Sequence, residues 1–247
     1  MNRRIPQSAL PLLTVIPGCI ILLLQAKLYT LEEHTGLLPQ SHPFYIAALI
    51  IGIVTAVLML IPAARRIENT PKVSGRSPIA AIGAVFAALL LIPAAFSIWK
   101  LANTTLEFFL VILAFVSVPC LLVLAWQFFR GRQPHFLLHG VLCLFFLVYM
   151  ICQYPLWCGN PQAEDYLFPL FACVCLNFTA YRRAAFDFRS GNLPALTYLG
   201  WMAGFFCICS LAGDGDVWFY LAGGLWALTN LYSIQPPVQQ EDDNVSA

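Results

Sequence analysis

Hydrophobic positions in this chain do not alternate with polar ones. They run together in long blocks, and the charged residues stand between the blocks. Eight stretches of sixteen or more residues are free of Asp, Glu, Lys and Arg: 5–26, 34–64, 77–99, 108–129, 133–163, 166–181, 190–213 and 217–240. A bilayer core about 30 Å thick needs roughly 20 apolar residues at a 1.5 Å rise per residue, and all the blocks but 166–181 reach that length. The two longest each hold one span and a polar loop, because 35–43 and 153–163 are rich in Pro, Gly, Asn, Gln and His. The short block reaches across if Tyr166 and Tyr181 mark its ends and Arg182 and Arg183 snorkel to the headgroups. The pattern therefore predicts eight helices, at 8–28, 44–64, 78–99, 106–129, 135–154, 165–181, 194–212 and 217–234.

The flanking residues fit those bounds. Pro78 and Pro194 stand in first helical turns, where a missing N–H costs nothing. Trp99, Trp126, Trp157 and Trp218 fall near span ends, where amphipathic rings prefer to lie. The fold class that follows is an all-α, polytopic transmembrane bundle of four antiparallel hairpins. Residues 1–234 form one domain, and 235–247, with two prolines and then Glu241, Asp242 and Asp243, form a disordered cytoplasmic tail.

Composition narrows the function classes. Of 247 residues, 60% are hydrophobic and 10% charged, with a net charge of +1 and a mean hydropathy of +0.77. A soluble domain carries about a quarter charged residues, so a water-soluble enzyme and a basic nucleic-acid binder are both excluded. Orientation follows from the basic residues. Arg3, Arg4, Arg65, Arg66, Lys72, Arg76, Arg130, Arg132, Arg182, Arg183 and Arg189 fall on one set of alternating segments, leaving Lys27 and Lys100 on the other. The first set is cytoplasmic by the positive-inside rule, which puts both termini inside. The first block resembles an export signal in its Arg-rich start, but no A-x-A site follows and the apolar run continues through Ile20–Leu24. It is read as a retained helix.

No predicted loop has room for a soluble catalytic domain, so chemistry must come from the bundle. Its predicted central thickness holds no Asp, Glu, Lys or Arg; Glu107 sits at an outer rim and Asp187 beyond an inner one. That counts against an ion-coupled transporter, which places a carboxylate near the midplane. The milder polar groups, among them Gln25, Ser117, Asn177, Thr179 and Asn230, suit hydrogen bonding between helices. The cysteines read as small apolar packing residues, because Cys173 and Cys175, like Cys207 and Cys209, point to different helix faces. Cys152 and Cys158 alone are placed to meet as a disulfide in an oxidising compartment. His135, His139 and Cys143 recur at i, i+4, i+8 along one helix face and form a weak candidate metal site with an incomplete ligand set. The commoner reading is interfacial histidine. No cofactor is expected.

Two resemblances bear on function. Gly213-Asp214-Gly215-Asp216 resembles the G-x-G-D signature of intramembrane aspartyl proteases of the prepilin-peptidase kind, and Asp187-Phe188-Arg189 resembles their first-aspartate segment. The resemblance implies Asp187 and Asp216 as a catalytic pair, which must lie close enough to share a proton. The span 194–212 separates them by roughly 30 Å, so the motif is read as an acidic outer turn. The whole chain, including Thr35-Gly36-Leu37, is similar to uncharacterised bacterial eight-span proteins, which implies a bacterial cell membrane and no particular activity. Expected partners are the lipid bilayer and a membrane protein or second copy, met through small-residue faces: Ala80, Ala84 and Ala88 in one helix, Gly200 and Gly204 in another. No nucleic acid is expected. A non-enzymatic interaction module and a permease for a small neutral or weakly polar solute both stay open. A wet central cavity favours the second and a dry seam of small residues the first.

Overall fold

The structure is a computed structural model that describes residues 12–31, 42–64, 73–159, 166–188, 191–212 and 216–235. Eight α-helices make up nearly all of it: α1 (Leu12–Leu31), α2 (Pro43–Ala64), α3 (Pro78–Leu101), α4 (Thr105–Arg130), α5 (Phe136–Gly159), α6 (Leu167–Asp187), α7 (Leu193–Cys209) and α8 (Val217–Asn230). Five stretches are long and apolar enough to cross a membrane: Pro43–Ala64, Pro78–Leu101, Thr105–Arg130, Phe136–Pro155 and Leu193–Ala212. The other helices fall short for identifiable reasons. The apolar part of α1 is Leu13–Leu28, α8 is 14 residues long, and α6 carries Arg182, Arg183 and Asp187 in its last turns.

Helix ends form where the local chemistry closes the orphan backbone groups. Before α3, the Ser77 hydroxyl accepts from the Ala80 N–H at 3.3 Å, with Pro78 next in line. Before α4, the Thr104 hydroxyl accepts from the Glu107 N–H, and Glu107 reaches back to accept from the N–H of Thr104 at 2.8 Å. This reciprocal box satisfies donors that nothing in an apolar medium would satisfy. Helix α4 stops at Gly131, whose φ of 69° is the left-handed conformation that a residue with a Cβ resists. Two-residue strands, β1 (Val73–Ser74) and β2 (Ile234–Gln235), pair antiparallel, and the Gly75 N–H donates to the Ser233 carbonyl at 2.7 Å. The segment before α3 and the segment after α8 thus lie side by side.

Packing is inside-out relative to a water-soluble bundle. On α3 most of the buried residues are small, the alanines at 80, 81, 84, 87, 88, 94 and 95 with Gly83, beside Leu91 and Ile98, while Ile79, Ile82, Phe86 and Leu89 are exposed. Small residues let the helix axes approach closely. A Cβ added at Gly83 would overlap Thr229 of α8, and one added at Gly204 of α7 would overlap Leu228. At Gly223 it would fall 2.7 Å from Leu176 of α6. The small-residue faces are therefore spent on contacts within the chain, with α8 held between α3, α6 and α7.

Two expectations about the sixth helix are corrected, and one open pairing is decided. Helix α6 runs to Asp187 rather than stopping at 181, and Arg183 is fully buried instead of snorkelling outward. Asp187 is consequently not in a solvated segment. The reason is charge cancellation: Arg183 and Asp187 are one turn apart on the same face, so neither needs water to be compensated. Helix α5 continues to Gly159, which puts Cys152 and Cys158 on one helix; both thiols are free. Six helical residues separate their Cα atoms by about 9 Å, too far for a disulfide.

Candidate polar site at one end of the bundle

Several contacts fix which helix ends lie together. The Ser77 N–H donates to the Phe128 carbonyl at 3.1 Å, joining the start of α3 to the end of α4. The Arg183 guanidinium lies over the Phe128 ring at 5.6 Å, bringing in the end of α6. His139, in the first turns of α5, has its ring 6.1 Å from that of Trp226 near the end of α8. At this shared end the bundle buries charge.

Asp187 is the centre of it. One carboxylate oxygen lies 2.9 Å from His139 Nδ1 and the other 3.5 Å from an Arg183 terminal nitrogen. The side chains of His139 and Arg183 are wholly buried, and that of Asp187 is 1% exposed. Arg183 also lies over Phe186 at 5.6 Å, so its flat cation is sandwiched by aromatic faces that attract it. Trp226, whose ring faces that of His139, is buried, as is Asn230 one turn further along α8. Both ring nitrogens of His139, Trp226 Nε1 and the Asn230 side-chain amide make no well-aligned hydrogen bond among the described residues, the Nδ1 approach to Asp187 being a close contact only. Buried polar atoms are almost always paired, with protein groups or with ordered water.

The tautomer of His139 follows from the distance. A bare nitrogen lone pair 2.9 Å from a carboxylate oxygen would be repelled, so Nδ1 carries the proton, although its N–H is not aimed straight at that oxygen. Nε2 meets no partner among the described residues, and no hydroxyl or thiol among them hydrogen-bonds to it.

The metal candidates are not brought together. His135 is exposed, stacks on Phe136 and accepts at Nδ1 from the Leu137 N–H. Cys143 donates to the Asn177 side-chain oxygen at 3.0 Å, and His139 is committed to Asp187. Among the described residues no three His, Cys, Asp or Glu side chains could hold a metal ion. Asp216 stands at the start of α8, Asp187 at the end of α6, and the 17-residue α7 lies between them in the chain. That helix spans roughly 25 Å, so the two aspartates sit at its opposite ends. Burial pushes the Asp216 carboxyl up to about 6, against the pull of the Phe219 and Trp218 N–H groups.

Sequence reasoning missed Arg183 and the partnership of Asp187 with His139. The available signal was the Arg183–Asp187 spacing of four, which puts opposite charges on one helix face.

Between the two ends the interior is aromatic and tight. The Tyr149 and Phe219 rings stack at 3.7 Å, and Phe146 contacts both Phe219 and Trp226. The recess among Leu91, Leu121, Phe145, Phe146 and Gly223 is apolar and holds about one water-sized volume. Comparison with protein-family models, with curated proteins and with solved structures finds no match to the chain.

Proposed function

We propose that the chain is an eight-span protein of a bacterial cell membrane with both termini cytoplasmic, and that it works as an interaction module, not as an enzyme or a conduit. The observation that carries the reading is the tight packing of α8 among the described residues. Helix α8 is wedged between α3 and α7 at Gly83 and Gly204 with no room even for a methyl group, and the aromatic recess beside it admits about one water. A permease needs a solute-sized cavity lined by polar groups, and those walls are hydrocarbon.

The faces left for partners are bulky. Ile82, Phe86 and Leu89 of α3 and Phe108, Ile112 and Phe115 of α4 are all exposed, and such side chains meet lipid tails or another protein's helices. The positive-inside arrangement supports the orientation, since the contacts that gather the start of α3 with the ends of α4, α6 and α8 gather the arginine-bearing segments as well.

The test is solute flux. Proteoliposomes containing the full chain should swell in glycerol or urea at the rate of protein-free vesicles. Faster swelling that depends on the amount of protein would overturn the module reading in favour of a permease.

A further inference from the structure

The last turn of α4 gathers arginines onto exposed rings. Trp126, Phe129 and Arg130 follow one another at i, i+3, i+4 and so share one helix face. The guanidiniums of Arg130 and Arg132 both lie over the Trp126 ring, at 5.1 and 5.5 Å, and that of Arg76 lies over Phe129 at 5.5 Å. Arg76 comes from the segment before α3. It reaches this face because it packs on Gly131, where an added Cβ would stand 3.2 Å from the Arg76 Cβ. All three arginines and both rings are exposed. We propose that this face is a binding site for the phosphate of an anionic phospholipid.

Like charges gathered in this way repel one another. Among the described residues neither Arg130 nor Arg132 meets a carboxylate. An aromatic ring attracts a guanidinium without supplying an oxygen to its donors, so the fork that fits phosphate oxygens in pairs stays available on both. Carbonyls at the end of α4 would oppose an anion, but two of them are engaged. Gln127 accepts from the Arg132 N–H at 3.0 Å, and Phe128 from the Ser77 N–H at 3.1 Å.

The hydrocarbon beside the cations makes the occupant a lipid and not free phosphate. Phe115, Pro119, Leu122 and Trp126 recur every three or four residues and are all exposed, so an apolar stripe runs along α4 up to the arginines. Its length is roughly 16 Å, about one leaflet's share of a bilayer core. An acyl chain laid on the stripe brings its phosphate to the guanidiniums. Charge then selects the class of lipid. A zwitterionic headgroup carries its own cation up to three others, and an anionic headgroup does not. The site rests on the reading of the chain as a membrane protein, whichever side of the membrane this end faces.

The experiment titrates the full chain, purified in mild detergent, with dioleoyl phosphatidylglycerol and with dioleoyl phosphatidylcholine, counting bound lipid by native mass spectrometry. Phosphatidylglycerol should bind about tenfold more tightly or better, the scale set by two or three arginines at a headgroup. Arg130→Gln combined with Arg132→Gln should remove that preference. Lys27→Gln combined with Lys100→Gln, which removes the same charge elsewhere, should keep it. Glycerol phosphate, which has the phosphate without the chains, should not displace the lipid at millimolar concentration. Equal binding of the two lipids, a preference that survives the arginine pair, its loss in the lysine pair, or displacement by glycerol phosphate would each overturn the proposal. Should the double arginine variant not purify, Arg130→Gln and Arg132→Gln alone should each weaken the preference, and an unchanged preference in both overturns it equally. Equal binding sinks this site and leaves the membrane reading standing; a chain that stays dispersed in water once detergent is removed sinks that reading instead.

Discussion

Replacing Asp187 by Ala is the most informative single change. It removes the carboxylate that meets Arg183 at 3.5 Å and His139 at 2.9 Å. The guanidinium remains, fully buried and covered by Phe128 and Phe186. Breaking a buried pair from one side costs about 3–5 kcal/mol, because the surviving charge keeps its desolvation penalty and loses its attraction. At roughly 2–4 °C per kcal/mol for a chain of this length, thermal unfolding should come about 10 °C earlier. The chain carries its own reporter: Cys173, Cys207 and Cys209 are buried, so a fluorogenic maleimide added in mild detergent reads unfolding as thiol exposure. The companion variant separates charge from volume. Arg183→Met combined with Asp187→Leu strands no ion and should unfold within about 1–2 kcal/mol of wild type, because hydrophobic replacement of a whole pair is close to neutral. If Asp187→Ala unfolds within about 2 °C of wild type, the buried cluster is not as described.

Three further outcomes are expected. Gly83→Leu and Gly204→Leu should each destabilise by at least about 1–3 kcal/mol, since the new side chains collide with Thr229 and Leu228; Gly140→Ala, which faces open space, should be neutral or slightly stabilising in the same thiol assay. Because the Asp216 carboxyl is raised from 3.8 to about 6, its contribution to stability is fully present below its ordinary value and is lost as pH rises through about 6. Asp216→Asn should flatten that slope and gain about 1 kcal/mol at neutral pH, the shift being discounted for the solvent that still reaches the group; an unchanged slope refutes it. Finally, in a cysteine-free background, Asn103→Cys should react with an impermeant maleimide in intact cells and Gln133→Cys only after permeabilisation. The opposite pattern inverts the proposed orientation.

Some of this was legible in the sequence because it depends on local chemistry. Helices α3 and α4 begin and end within two residues of their expected bounds, since Ser77, Pro78, Thr104, Glu107 and Gly131 act on backbone groups within a turn of themselves. The small-residue stripes were legible as contact faces. Their partners were not, because Gly83 meets Thr229 across 146 positions of chain, and a glycine says that something comes close without saying what.

The polar site was hidden by the rule that exposed the helices. Reading charge as a marker of water places Arg182, Arg183 and Asp187 in a loop and ends the sixth helix at 181. That rule holds for a charge whose compensation must come from solvent. It fails when compensation comes from the chain, as it does here, one turn away along α6 and from α5 across 48 positions, His139 to Asp187. The first partner is a local feature that i, i+4 spacing reveals; the second is tertiary, and no spacing in the sequence announces it. A lone histidine on an apolar face reads as an interfacial residue until the carboxylate opposite is in view. The residue with the least distinctive sequence context thus joins a buried charge cluster, and it does so only when α5 and α6 dock.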